Sequence, residues 1–238
     1  MTTKFKWHRI GKDKTSLKNL LLRCTRRSKG QCNAVSSQCQ ALNKKTKKFE
    51  IAINNNYVKN KMIPHISHAL VAMSAEDESI QGILLGSEKK LRNSDGKSYK
   101  VFYIDLVCSR HRKGKDLLYR AEIFALQKGF HTIALRAATP KLLNVYRRRG
   151  YSRDVDACQT RTRAQRRALR EMDMVASALF KGDRRFWKTS GDGWWMSKCC
   201  RKNIQALKVY IRAQKNKQDR DDLKRQLNQG IRKINRRR

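Results

Sequence analysis

The residues best suited to chemistry in this chain form a short basic segment around a glycine. Positions 110 to 116 are Arg-His-Arg-Lys-Gly-Lys-Asp, and they separate a run of β-branched and aromatic residues from a run with helical spacing. Free backbone amides and the helix dipole at a helix N-terminus favour an anion, and lysine and arginine add charge-assisted contacts. The segment therefore predicts a phosphate-binding loop, built from Arg110, Arg112, Lys113, Gly114 and Lys115.

The elements around this loop follow from the hydrophobic pattern. Lys100–Ser109 is rich in β-branched and aromatic residues, as in a buried strand, and Leu117–Lys128 has apolar residues at helical spacing. A second strand is predicted over Phe130–Ala138, and a second helix over Lys141–Arg149 after the Thr-Pro pair. A strand, a crossover helix and a strand in this order predict a βαβ unit with parallel strands.

Upstream, two apolar runs flank an acidic turn between His68 and Glu88. They predict strands over His68–Met73 and Ile80–Leu85 that precede the βαβ unit. The expected fold class is thus α/β (or α+β), with a central mixed sheet and flanking helices.

The order of these elements resembles the GNAT superfamily of acetyl-CoA-dependent N-acetyltransferases. In that family a strand leads into a Q/R-x-x-G-x-G/A loop that binds the cofactor pyrophosphate, and a later helix ends in Tyr-x-x-x-Gly-Phe/Tyr. The segment Leu142–Tyr151 matches this ending, with Tyr146 at the tyrosine of the family. The resemblance covers roughly positions 62 to 155 and implies a GNAT-like fold with acetyl-CoA as the cofactor.

The phosphate loop departs from the family pattern. Gly114 takes the second glycine position, Arg112 stands where the first glycine belongs, and Ser109 replaces the glutamine or arginine. Two hypotheses follow: the Arg112 side chain crowds the pyrophosphate, or ionic contacts from the basic residues replace the amide contacts.

The resemblance also implies roles for individual residues. Tyr146 would protonate the departing thiolate, and Asp105 would accept the amine proton. If the strands splay after Asp105 and Arg136, backbone groups near Val107 and Cys108 would hold the pantetheine arm. Simpler interpretations stay open: Tyr146 as a core residue, Asp105 as the partner of an arginine, and the Cys108 side chain as a small core group.

Charge gives the second indication of function. The 238 residues include 57 lysines and arginines against 19 acidic residues, for a net charge of +38, and the excess is most one-sided in the segments Met1–Phe49 and Arg201–Arg238. Such an excess favours a polyanionic partner, and sequence-tolerant binding of nucleic acid through both segments is the main hypothesis. An anionic membrane surface is the weaker alternative, because no strongly apolar helix face accompanies the basic residues.

The chain divides into three predicted regions: a basic N-terminal segment (1–60), the GNAT-like core (61–156) and a basic, mostly helical C-terminal extension (157–238). The N-terminal segment is expected to hold a short basic helix between positions 16 and 27 and a first strand over Phe49–Ile53. The extension is expected to hold one helix over Gln159–Phe180 and another over Asn203–Asn235. Between them, Lys181–Cys200 appears irregular and turn-rich, and its tryptophans suit either base stacking or anchoring of the loop. Those tryptophans are Trp187, Trp194 and Trp195.

Cysteine and hydropathy patterns bear on location. The seven cysteines lack the spacing of a zinc site, so we expect free thiols in a reducing intracellular compartment and no metal. We find no apolar run of about 18 residues and no signal-peptide pattern, so we expect no membrane-spanning helix. The charge favours the nucleus, the nucleoid or a nucleoprotein particle.

Two classes of function follow. The first is an N-acetyltransferase that uses acetyl-CoA, acts on an amine and associates with nucleic acid. The second is a protein that kept the GNAT-like fold without the activity and binds or packages nucleic acid. The altered glycine loop favours the second, and the Tyr-x-x-x-Gly-Tyr ending favours the first.

Overall fold

The computed structural model describes residues 3–9, 40–42, 49–51, 65–76, 80–92, 98–109, 113–137, 140–153, 157–158, 164, 167 and 194–236. Its strands are β1 (Thr3–Arg9), β2 (Gln40–Leu42), β3 (Phe49–Ile51), β4 (His68–Ser74), β5 (Ile80–Arg92), β6 (Ser98–Ser109), β7 (Thr132–Ala137) and β8 (Trp194–Cys199). Its helices are α1 (Gly114–Lys128), α2 (Pro140–Arg148), a 3-10 turn (Arg201–Asn203), α3 (Ile204–Arg212) and α4 (Lys217–Asn235).

Six strands form one mixed sheet in the order β1-β4-β5-β6-β7-β8, and β2 and β3 form a separate hairpin pair. All neighbours in the large sheet are antiparallel except β6 and β7, which run parallel and are connected through α1. This arrangement confirms the predicted α/β class and its central mixed sheet. The four core strands and the two core helices lie where the sequence predicted them, although β5 continues seven residues past the predicted Leu85.

Other expectations need correction. Residues 194–199, which the sequence analysis assigned to an irregular segment, form the edge strand β8. The single helix expected over Asn203–Asn235 is instead a 3-10 turn and two helices, with a break at Ala213–Asn216. The strand β1 at the other edge was not predicted, because it is short and has only two apolar residues, Phe5 and Trp7.

The predicted division into three regions remains a prediction. The large sheet nevertheless contains β1 from the first region, β4 to β7 from the second and β8 from the third. The predicted helices between positions 16 and 27 and over Gln159–Phe180 lie outside the described residues, apart from positions 164 and 167, as does Trp187.

The main core lies on the face of the sheet that α1 covers, hereafter the helix face. Alternate residues of the strands point toward it, including Leu84, Phe102 and Leu135, and they pack against Leu117 and Phe124 of α1. Burial of these apolar side chains is the main contribution to stability. Gly129, with a φ of 78°, ends α1 in the left-handed conformation that glycine adopts without strain.

The opposite face of the sheet, hereafter the far face, carries a smaller aromatic cluster. Tyr99, Val101, Tyr103 and Ala134 are buried there, and Trp195 packs against them. The Tyr103 and Trp195 rings stack with a centroid distance of 5.4 Å and an interplanar angle of 14°. One of the predicted tryptophans is therefore packed into the fold, as the anchoring interpretation required.

The C-terminal helices dock on the body. Leu207, Ile211, Leu223 and Leu227 are buried in the main core, so the sparse apolar stripe seen in the sequence is an internal packing face. At Gly230 a Cβ atom would lie 2.7 Å from the backbone carbon of Leu126, so α4 approaches α1 more closely than any side chain would permit.

The cysteines differ from the expectation of free thiols. Cys158 and Cys199 form a disulfide bond, and Cys108 is disulfide-bonded as well. Cys200 is a buried free thiol, and burial raises its pKa. The free-thiol prediction is thus wrong for three of the seven cysteines.

No helix among the described residues is long and apolar enough to cross a membrane. Within the same part of the chain, no group of three or more histidine, cysteine or acidic side chains is arranged to hold a metal ion.

Candidate functional site

The parallel strands β6 and β7 part half-way along their length. Their pairing runs from Val101 opposite Thr132 to Ile104 opposite Leu135 and ends there. Beyond this point β6 continues to Ser109 alongside β5, whereas β7 continues to Ala137 alongside β8. Among the described residues, no β6–β7 pair lies beyond this point, so the two strands are no longer joined by a ladder there.

A β-bulge lies at the start of this gap. On β5, Leu85 pairs with Leu106 and the next residue, Gly86, pairs with Ile104, so Asp105 is the extra residue of β6. A bulge bends its strand and redirects a side chain, and bulges are frequent beside active sites. The bend therefore places a carboxylate at the point where the two strands separate.

Asp105 has one hydrogen-bond donor of its own in Ser87, whose hydroxyl donates to Oδ2 at 2.9 Å. The residue is exposed, yet partial burial of the carboxylate raises its pKa, while Ser87, Lys89 and His65 oppose that rise. A carboxylate with a raised pKa is a stronger base than an ordinary one. Among the described residues, the groups whose charge opposes this rise are Lys89 and His65 rather than an arginine.

The backbone of β6 beyond the bulge lines the gap. Val107 pairs with Leu84 and its side chain packs partly buried against the main core, while Cys108 pairs with Ile83 and is buried. Their predicted role in holding a pantetheine arm remains a prediction, and the position of their backbone groups on the parted strand is compatible with it.

Tyr146 lies on α2 within the main core, on the helix face. Burial raises its pKa to about 12, against the opposing effect of the Arg149 cation. The phenol therefore keeps its proton at neutral pH and is available as a donor rather than a base. Its exposed fraction is 8 %, so the simpler interpretation as a core residue has support in its burial.

The turn after α2 fixes Tyr146 through its backbone. The Tyr151 N–H donates to the Tyr146 carbonyl at 3.1 Å, and the two rings lie 5.8 Å apart. Gly150 adopts a φ of 81°, which explains the glycine of the Tyr-x-x-x-Gly-Tyr ending. The ending is thus a helix-terminating turn that sets the relative positions of the two tyrosines.

The N-terminus of α1 lies directly after β6. Lys113 precedes the helix and no side chain caps its amides. A Cβ atom on Gly114 would lie 2.9 Å from the Ser109 hydroxyl, so a glycine suits this position for a local reason, apart from any ligand. Lys115 is exposed, whereas Arg110 and Arg112 lie outside the described residues. Asp116 adds a negative charge to the first turn.

Several neighbours of Asp105 were not predicted from the sequence. Ser87 and Lys89 were missed because the predicted strand ended at Leu85. The alternation of Ser87, Lys89 and Leu91 on β5 was the available signal, but charged residues weakened it.

No protein-family model and no curated protein matches the chain. Several solved structures have a similar backbone trace. One is a KacTA–DNA complex, which has 10% sequence identity; the match covers 64% of this chain and 82% of the other chain, at a TM-score of 0.42. A transcriptional regulator from Bacillus halodurans has 18% identity over 68% and 100% of the two chains, at a TM-score of 0.41. A probable N-acyltransferase from Enterococcus faecalis has 13% identity over 64% and 33%, at a TM-score of 0.40.

Proposed function

We propose that this protein is a GNAT-like N-acetyltransferase that transfers the acetyl group of acetyl-CoA to an amine. The observation that carries the proposal is the gap between β6 and β7, which begins at Ile104 and Leu135 with a bulged carboxylate at its apex. A gap of this kind would accept an extended ligand between two strands, as a further strand would be accepted.

The proposed chemistry uses groups on the two faces of the sheet. The carboxylate of Asp105, on the far face, accepts a proton from the amine, and the Tyr146 phenol, on the helix face, donates one to the leaving thiolate. Acetyl-CoA supplies the activated acetyl group. Its pyrophosphate would lie at the uncapped N-terminus of α1, where Lys113, Lys115 and the Gly114 amide favour an anion.

The first test is ligand binding followed by catalysis. A ligand that binds only the native state raises the melting temperature, so acetyl-CoA at millimolar concentration should raise it for the wild-type protein. Replacing both Lys113 and Lys115 with alanine should weaken binding by more than about tenfold. Replacing Lys90 and Lys100, on the β5–β6 ladder, with alanine removes the same charge and serves as the control.

Catalysis is tested by Tyr146→Phe. This variant should lower turnover by about a hundredfold while leaving acetyl-CoA affinity nearly unchanged, because the phenol proton is needed only in the transition state. The absence of any effect of acetyl-CoA on the wild-type melting temperature would refute the acetyltransferase proposal.

We also propose that the C-terminal helices bind nucleic acid. Residues 201–236 contain twelve lysines and arginines against three aspartates. Docking of α3 and α4 through their apolar sides leaves most of these cations exposed, including Lys224, Arg225 and Arg232. Of the three aspartates, Asp219 pairs with Arg120 of α1, so it does not neutralise the outer surface.

The salt dependence of binding tests this second proposal. Each phosphate contact contributes about 0.9 to the log–log slope of affinity against salt, so Lys224→Gln with Arg232→Gln should reduce the slope by about one to two. The double variant of Lys90 and Lys100 to glutamine is the charge-matched control and should leave the slope unchanged. Equal slopes for both double variants would locate nucleic-acid binding elsewhere.

A further inference from the structure

The outer side of α4 carries amide and charged side chains that border one recess. The inner side of the helix is apolar, with Leu223 and Leu227 buried in the main core and Gly230 close against the α1 backbone. The residues that line the recess, hereafter the α4 recess, are all exposed. They are Asp221, Lys224, Arg225, Asn228, Gln229 and Arg232.

The helix that carries this recess is held firmly on the body at both ends. The Asn216 side chain caps its first turn by accepting from the Asp219 N–H at 2.9 Å, and the Asp219 carboxylate pairs with Arg120 of α1. Near the other end the Lys233 ammonium donates to the Gln127 carbonyl at 2.7 Å. A rigid element presents its side chains with little ordering cost on binding, so α4 is suited to recognition.

The side chains of the recess are of two chemical kinds. Asn228 lies between two cations, with Lys224 one turn before it and Arg232 one turn after it. An asparagine amide forms two hydrogen bonds at once with N6 and N7 of adenine, whereas lysine and arginine contact phosphates. Asp221 is unfavourable beside a phosphate, but a carboxylate accepts a hydrogen bond from the cytosine amino group. The recess thus combines groups that read base edges with groups that hold the backbone.

Duplex DNA is the polyanion that fits this side of α4. Its major groove admits an α-helix and exposes these base atoms, whereas the major groove of an RNA duplex is too deep and narrow for side chains to read. The stretch from Asp221 to Arg232 is about 16 Å long at 1.5 Å per residue. This length corresponds to about five base pairs at 3.4 Å each.

Other anionic partners fit less well. Proteins bind single strands largely by stacking bases on aromatic rings, and the one aromatic residue of α3 and α4, Tyr210, is buried. An anionic membrane surface requires an apolar helix face beside the basic one, and the apolar side of α4 packs in the main core.

We propose that α4 binds in the major groove of duplex DNA, where Asn228 reads an adenine while Lys224 and Arg232 contact the flanking phosphates. The inference rests on the proposed binding of nucleic acid by the C-terminal helices. It adds that the partner is duplex DNA and that affinity depends on base sequence, in contrast to the sequence-tolerant binding expected from the charge alone.

The first test uses the full-length protein to select from a pool of DNA duplexes randomised over about ten base pairs. We expect enrichment of a motif of about five base pairs that includes an adenine. Replacing adenine in the selected duplex with 7-deazaadenine removes the N7 acceptor from the major groove at constant charge, and affinity should fall at least about tenfold. The matched control is 3-deazaadenine, which removes the minor-groove acceptor and should leave affinity unchanged.

The second test uses protein variants. Asn228→Ala should lower affinity for the selected duplex about tenfold and remove the preference at the adenine position, while the salt slope stays the same because an amide neutralises no phosphate. The variant should also bind the parent and the 7-deazaadenine duplexes equally, since the group that distinguishes them is gone. Asn144→Ala, an identical change at an exposed position of α2, is the control and should keep the wild-type preference.

The outcomes separate the inference from the proposed function. If no motif is enriched and 7-deazaadenine has no effect, but Lys224→Gln with Arg232→Gln still reduces the salt slope, the inference is overturned and nucleic-acid binding by the C-terminal helices stands. If that double variant leaves the slope unchanged, both are overturned. Tighter binding to an RNA duplex, to single-stranded DNA or to vesicles of anionic lipid than to the selected duplex would also overturn the inference.

Discussion

Two carboxylates on opposite faces of the same sheet have raised pKa values for the same first reason, desolvation, but their surroundings differ. Glu122 of α1 lies beneath the main core with an exposed fraction of 2 %. Asp105 is exposed at the bulge where β6 and β7 part. Comparing them shows how burial and pairing distinguish a structural charge from one that is available for chemistry.

Glu122 has a partner for each of its oxygens. The Lys198 ammonium donates to Oε1 at 3.2 Å and to Oε2 at 3.1 Å, and the Tyr151 hydroxyl donates to Oε1 at 3.3 Å. The Asn203 amide also donates to Oε2. This buried cluster joins α1, β8, the 3-10 turn and the turn after α2, so removal of the Glu122 carboxylate takes away the acceptor that the other three share.

Among the residues that the structure describes, the Ser87 hydroxyl is the donor to Asp105, and the charges of Lys89 and His65 oppose the rise of its pKa. Its side chain is exposed, as the proposed exchange of a proton with a bound amine would require. Perturbed groups of this kind beside a cleft are characteristic of active sites, whereas a fully paired buried group is characteristic of a structural network.

The largest expected effect comes from breaking the buried cluster. Glu122→Gln should lower the free energy of unfolding by about 3–5 kcal/mol, because it leaves the Lys198 ammonium buried without a counter-charge. Chemical denaturation measures the change. Replacing Lys198 with Met in the same protein should restore part of the loss, and a double-mutant cycle that shows simple additivity would contradict the coupling.

Asp105→Asn should change catalytic turnover, whereas Glu122→Gln changes the free energy of unfolding. If Asp105 is the base, turnover should fall by about a hundredfold, with little change in acetyl-CoA affinity. Wild-type turnover should rise with pH as Asp105 loses its proton, and this rise should lie above the ordinary range for aspartate because its pKa is raised. The variant should lack this rise; retention of the same pH profile in Asp105→Asn would assign the base elsewhere.

A smaller effect on stability is expected where α4 packs on α1, the helix that carries Glu122. Gly230→Ala would place a Cβ atom 2.7 Å from the Leu126 backbone, so α4 must shift. We expect a loss of about 1–3 kcal/mol, opposite in sign to the usual gain from replacing a helical glycine. Asn228→Ala, at an exposed position on the same helix, is the control and should be nearly neutral or slightly stabilising.

The sequence allowed the central strands, the helices between them and the order of the sheet to be predicted, because their apolar residues recur with clear periods. It did not allow prediction of β1, which has only two apolar residues, or of β8, which begins with three consecutive apolar residues after a turn-rich segment. Asp105 and Tyr146 were found by resemblance alone. The Glu122–Lys198 pair was not found, because its members are 76 residues apart and nothing local in the sequence joins them.

The smallest expected effect is the pH dependence of stability that Asp105 contributes. Its pKa is raised in the folded protein, so between its unfolded and folded pKa values the native state binds more protons than the unfolded state. Stability must then fall as pH rises through that window, the reverse of what a salt-bridged aspartate gives.

Asp105→Asn removes this contribution, so the melting temperature of the variant relative to wild type should increase with pH across the window and level off above it. Since Glu122 remains in both proteins, its own titration cancels in the difference to the extent that the two distant sites are independent. A difference that decreases with pH would mean that the folded protein lowers the pKa of Asp105, and would remove the contrast between the half-paired and the fully paired carboxylate.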